Sequence, residues 1–222
     1  MLIDKHCWNI GAFGDFKCLS SWCDPKIVKL SDPKNISEMN VYDFESYVGS
    51  LACEGIERIF LYYSGCSHNG EGTNFPELKF ADRSLKQPEI RDILSGRGFS
   101  MVVFGYDSGN EPKPNLVTRA GGSPVNSNYV NGIWDYTGSL YFCGSPKGAT
   151  AWANVYSGGI FTRKFHKVIK NHEGNWLSAL DTITNKRIIA VDMILEPQIE
   201  ATDFVSSKRP EFSLWSATDD SD

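Results

Sequence analysis

The chain is short of the features that would assign a chemistry outright. Four histidines and six cysteines occur in 222 residues, and the cysteines (Cys7, Cys18, Cys23, Cys53, Cys66 and Cys143) follow no zinc pattern. Four residues separate Cys18 from Cys23, but no second cysteine or histidine pair follows at finger spacing. A metal site built on Cys66 and His68 would need two further ligands that the sequence does not place. No metal and no cofactor are therefore expected. Cysteines this sparse read as reduced, mostly buried thiols, with a disulfide among the N-terminal three as the exception. Positive charge is scarce too. Lysine and arginine together number 22 against 27 acidic residues, a net charge of −5, which leaves no basic footprint for nucleic acid or an anionic membrane. No apolar run approaches the roughly 20 residues that span a bilayer. The start, Met1-Leu2-Ile3-Asp4-Lys5-His6, lacks the charged-then-apolar pattern of a secretory signal, and a cytoplasmic location is expected.

What is present suits one well-packed globular domain, with 41% hydrophobic and 22% charged residues. Its focus is Ile56-Glu57-Arg58-Ile59-Phe60-Leu61-Tyr62-Tyr63-Ser64-Gly65-Cys66-Ser67-His68-Asn69-Gly70. A nearly continuous apolar, β-prone run stops there at a Ser-Gly step and a small polar loop, the pattern of a strand buried on both faces. In an α/β sheet, the loop leaving the carboxyl end of such a strand is where ligands and catalytic groups sit. Ser100–Gly109 repeats the logic, so the two loops are expected to share one site.

Helical spacing precedes each strand. Val41, Phe44, Val48, Leu51 and Ala52 recur at three to four residues behind Ser37, with Gly55 as a stop. Pro88–Leu94 reads as a short helix opened by proline and stopped by Gly96 and Gly98. Two αβ units in succession predict adjacent parallel strands. Gly138–Ser145 reads as a further strand, Asn175–Leu180 as a helix and Ile188–Val191 as a late strand. Residues 1–40 are least legible: Trp8–Phe13 and Ile27–Leu30 are strand candidates separated by turn signals. Residues 110–138 form a long Gly-, Pro- and Asn-rich stretch in which mobility is expected. His166 and His172 accompany lysines and read as surface residues. Asp107-Ser108-Gly109-Asn110 reads as a turn with the aspartate capping its own backbone.

Two of these segments carry a family resemblance. Tyr62-Tyr63-Ser64-Gly65 resembles the caspase and metacaspase strand that ends Tyr-Tyr-Ser-Gly-His-Gly and delivers the catalytic histidine. Phe104-Gly105-Tyr106-Asp107-Ser108-Gly109 is similar to the next strand of that fold, which ends Asp-x-Cys-x-Ser-Gly and delivers the nucleophile. Gly158-Gly159-Ile160-Phe161-Thr162 resembles the family's Gly-Gly-x-Phe-Thr before a long helix, and Glu196-Pro197-Gln198-Ile199 its closing Gln-Pro segment in altered order. The resemblance spans about residues 37–200, leaving 1–36 as a divergent segment and 201–222 as a C-terminal segment with the acidic tail Asp219-Asp220-Ser221-Asp222. It implies an α/β fold of the caspase-like, three-layer α/β/α kind, with a mostly parallel sheet flanked by helices. In the family, 110–138 is where maturation and substrate loops fall. Ile10-Gly11 could match the family's opening strand, but few residues remain before Ile27 for the helix that should follow.

The same resemblance argues against the usual chemistry. A cysteine endopeptidase needs a thiolate, an activating histidine and backbone donors for the oxyanion. Laid on the family pattern without gaps, Cys66 stands where the histidine belongs and Tyr106 where the cysteine belongs. A phenol with a pKa of about 10 is no nucleophile at neutral pH. Phe104 stands where metacaspases place an acidic residue for a basic substrate side chain, and Arg119 and Arg163 sit in no matching motif. The expectation is a degenerate, inactive domain that acts by protein–protein contact, with itself or an active caspase-like relative, through an exposed edge near Ile188–Val191. The rival is an endopeptidase with a displaced dyad, His68 with Cys66 or Cys143. A structural subunit of a larger particle is the third reading.

Overall fold

The computed structural model describes residues 1–3, 12–22, 32–69, 72–109, 117–118, 132, 134–149, 152–154, 158–172, 175–185 and 198–206. In chain order the elements are β1 (Leu2–Ile3), α1 (Ala12–Ser20), β2 (Lys34–Asn35), a 3-10 turn at Ile36–Glu38, α2 (Val41–Cys53), β3 (Arg58–Gly65), β4 (His68–Asn69), β5 (Pro76–Lys79), β6 (Ser84–Leu85), α3 (Gln87–Ser95), β7 (Met101–Ser108), β8 (Val117–Thr118), β9 (Tyr136–Cys143), β10 (Trp152–Asn154), β11 (Gly158–Gly159), α4 (Ile160–Asn171), α5 (Trp176–Asn185) and β12 (Gln198–Ser206). The main sheet has the order β12-β9-β7-β3-β1-β2, flanked by two small sheets, β4-β5-β6 and β8-β10-β11. Its pairings are parallel except for β12, which runs antiparallel along β9.

The parallel centre follows from the apolar runs. β3 and β7 pair in unbroken register from Arg58–Met101 to Gly65–Ser108, and every residue of β7 is buried. Strand alternation then sorts the side chains. Ile59, Leu61, Tyr63, Val102, Phe104, Tyr106, Tyr141 and Cys143 pack with Val41, Phe44, Val48, Ile90 and Leu94 of α2 and α3 on one face. Tyr62, Met101, Val103, Leu140 and Phe142 pack with Leu19, Phe161, Phe165, Ile169, Trp176 and Ile183 of α1, α4 and α5 on the other. The molecule is thus a three-layer α/β/α sandwich, as the resemblance implied. A side chain at Gly105 would place its Cβ 2.5 Å from the Phe142 ring and 2.7 Å from the Tyr62 ring. The glycine therefore lets these aromatics close over the central strand.

The helices start where the backbone finds a cap. α2 begins behind Asn40, whose side chain accepts the Asp43 N–H at 2.8 Å, and not at Ser37, which lies in the 3-10 turn. In α3 the Glu89 carboxylate accepts the Lys86 N–H at 2.8 Å, and Pro88 sits in the first turn, where no intrahelical donor is needed.

Three expectations need correction. A strand over Trp8–Phe13 is not the arrangement of its last two residues: Ala12 and Phe13 open α1, a nine-residue helix in the stretch where the sequence had suggested too few residues for a full one. β1 lies earlier, at Leu2–Ile3, and together with β2 it completes the sheet beside β3. Nor are His166, on α4, and His172, which caps its C-terminus, mere surface residues. The Trp22 indole N–H donates to His166 Nδ1, and His172 Nε2 lies 3.0 Å from Thr182 Oγ1. The expected strand at Ile188–Val191 and most of 110–138 lie outside the described residues. Among the described residues, no helix is long and apolar enough to cross a membrane.

Candidate functional site

The carboxyl ends of β3 and β7 come together as the two Ser-Gly loops predicted. Tyr63, Tyr106 and Cys143 stand in one row across three strands, with Ser64 opposite Asp107 and Gly65 opposite Ser108. The first loop is tied down from two sides: the Tyr63 hydroxyl donates to the Cys66 carbonyl at 2.5 Å, and Ser67 Oγ donates to the Gly109 carbonyl at 2.6 Å.

The sequence-predicted residues occupy this end of the sheet in different ways. Tyr106 is fully buried, its ring 4.6 Å from Phe104 and 5.8 Å from Phe75. Its hydroxyl finds no hydrogen-bond partner among the described residues. Burial first, then the neighbouring Cys143, Tyr141 and Glu200, pushes the phenol well above its ordinary pKa. Phe104 is likewise core. Cys66 is disulfide-bonded, which corrects the expectation of a reduced thiol at this position. Cys18, Cys53 and Cys143 are free. Cys143 is completely buried, and burial, with a smaller contribution from Asp107, pushes its thiol up to about 12 against a backbone hydrogen bond from Ser145. That is the opposite of the depressed pKa a nucleophilic cysteine needs. His68, in β4, turns to Glu77 of β5, with Nε2 3.4 Å from a carboxylate oxygen that belongs to the same side chain as a 3.8 Å partner of Lys86. Arg163 lies on α4, where its charge bears on the Cys18 thiol. Arg119 lies outside the described residues. No group of three metal-ligating side chains occurs among the described residues.

The opposite face of the same strand ends carries what the sequence reading missed. Asp107 does not cap its own turn. Its carboxylate accepts the Thr162 backbone N–H at 3.0 Å and the Thr162 hydroxyl at 2.5 Å. It thus caps the first turn of α4, whose own cap residue, Gly159, has no side chain to offer. Tyr62 OH lies 2.6 Å from Thr162 Oγ1; since that hydroxyl donates its proton to Asp107, the phenol donates into it. Asp15 reaches in from α1 and accepts from Ser64 Oγ at 2.5 Å and from the Gly159 N–H at 2.6 Å. Both carboxyls are buried, Asp15 more completely than Asp107. Burial pushes Asp107 up to about 6 against its bonds from Thr162. Asp15 is pushed well up by burial and then by the Asp107 charge, against its bonds from Ser64, Gly159 and Thr162. Gly159 and Thr162 fell inside the Gly-Gly-x-Phe-Thr resemblance, but nothing in the sequence pointed to Asp15.

No protein-family model matches the chain, and no curated protein matches it in sequence. Solved structures do match in fold. Caspase-1 from Spodoptera frugiperda superposes with a TM-score of 0.58 over 90% of this chain and 86% of its own, at 13% sequence identity. The fold is therefore caspase-like.

Proposed function

We propose that this chain is a caspase-like domain that hydrolyses no peptide and works through protein–protein contact, with an active relative or with a second copy. The observation that carries the reading is Tyr106. At the strand position where the resemblance expects a nucleophilic thiol, a phenol is packed between Phe104 and Phe75. The disulfide at Cys66 and the burial of Cys143 support the same reading, because neither sulfur offers an accessible thiolate to His68. The folded protein, incubated with peptidyl chloromethyl ketones of varied sequence and weighed intact, should show no adduct at any cysteine of the site and no turnover of matching fluorogenic peptides. A stoichiometric adduct at Cys66 or Cys143, formed by the folded protein, would restore the displaced-dyad peptidase.

The surface best suited to contact is β12. This nine-residue strand ends the sheet, and its outer edge pairs with no other strand among the described residues. Ile199 and Val205 are exposed along it. An edge of this length offers backbone donors and acceptors to a strand of another chain. Association through it should appear as a concentration-dependent dimer in sedimentation; a monomer at every concentration would leave the relative, and not a second copy, as partner.

A further inference from the structure

The pair Asp15 and Asp107 has no part in the reading above. Both carboxyl groups converge on one glycine. The Gly159 N–H donates to Asp15 Oδ1 at 2.6 Å, and a Cβ at Gly159 would fall 1.8 Å from Asp107 Oδ2, so that carboxylate rests directly on the glycine's backbone. Among the described residues, every hydrogen bond the two carboxyls receive comes from a neutral group: Ser64, Gly159 and Thr162. No cationic side chain bonds either of them among the described residues. Two buried carboxylates brought onto one glycine, with no cationic hydrogen-bond partner among the described residues, repel each other, and retaining one proton between them relieves the repulsion.

We propose that Asp15 and Asp107 share one proton, and that this proton fastens α1 to the ends of β3 and β7 and to the start of α4, as a latch that loosens when the pH rises. The mechanical link is direct. Asp15 is the residue through which α1 bonds Ser64 of β3 and Gly159 at the start of α4, and Asp107 joins β7 to the first turn of α4. Three other titratable groups linked to this cluster among the described residues stay in one state through the neutral range. Tyr62 of β3, Cys18 of α1 and Cys143 of β9 are all pushed up by burial and remain neutral. The Arg163 guanidinium of α4 bears on Cys18. Beyond the carboxyls, His166 of α4, which accepts from Trp22, has its pKa lowered from the ordinary histidine value by burial, so its titration runs opposite in sign to that of the pair. The folded-state affinities of the two carboxyls for protons are raised, so the stability they contribute is complete below the ordinary carboxyl range near about 4. It is lost as pH rises through the folded values, about 6 for Asp107 and well above the ordinary range for Asp15.

Amide hydrogen exchange of the whole chain, corrected for the intrinsic rate and followed from about pH 5 to about pH 8, tests this. The opening equilibrium of α1 should rise by up to about tenfold per pH unit, while that of α2, on the other face, stays level. In Asp107→Asn, where the amide oxygen can still accept from Thr162, the rise in α1 should vanish. A level α1 profile in the unaltered protein, or a slope that survives Asp107→Asn, overturns the proposal. Should that variant not fold, carbon-13 titration of the Asp15 and Asp107 carboxyls in the unaltered protein decides. One of them titrating above pH 6 upholds the shared proton; both ionising in the ordinary range refutes it.

Discussion

Tyr106 and Asp107 are neighbours in one strand, and the alternation of β7 sends them to opposite faces of the sheet. Tyr106 enters an apolar layer under α2 and α3, where its ring packs well and its hydroxyl has no partner among the described residues. Asp107 enters the layer under α1 and α4, where two hydrogen bonds from Thr162 receive it and a second buried acid stands beside it. The polar atoms of the two residues therefore carry opposite value. One face gains nothing from its hydroxyl, since a buried polar atom without a partner keeps its desolvation cost. The other face is assembled through its hydroxyls: a relay from Tyr62 to Thr162 to Asp107, and from Ser64 to Asp15, joins two strands and two helices.

Two isosteric substitutions break this comparison in opposite directions, and the larger effect belongs to the wired face. Thr162→Val keeps the volume and the backbone N–H that Asp107 uses but removes the hydroxyl. Asp107 loses a donor, and Tyr62, completely buried, loses the oxygen into which it donates. Leaving such groups unsatisfied costs about 1–3 kcal/mol. Urea unfolding should show the midpoint falling with the slope unchanged. An unchanged midpoint would mean that the relay contributes nothing and that Asp107 is held by the backbone bond alone.

The contrast also explains which parts of the molecule could be read from the chain. β3, β7 and β9 were legible because strands buried on both faces appear as continuous apolar runs. α3 was legible from its proline start and glycine stop. The wired face was not. α1 is nine residues long with an acid, Asp15, completely buried in it, and a buried carboxyl looks in sequence like a solvated one. Asp107-Ser108-Gly109 has the composition of a turn, and only the arrival of Thr162 from 55 residues further on gives the aspartate another partner. The Trp22–His166 contact joins residues still further apart. Cysteine spacing likewise cannot tell which thiols are oxidised, so Cys66 read as a small buried hydrophobe until the fold was known.

Tyr106→Phe sharpens the comparison with the smaller effect and the opposite sign. The ring that meets Phe104 and Phe75 is retained, and only the hydroxyl that has no partner among the described residues is lost. Relieving an unsatisfied buried hydroxyl should stabilise the protein by about 1 kcal/mol, a rise in melting temperature of about 2–4 °C for a chain of this size. A fall instead would show that the phenol bonds something in solution. The two faces would then be wired alike, and Tyr106 would have to be treated as a polar group of its layer and not only as packing.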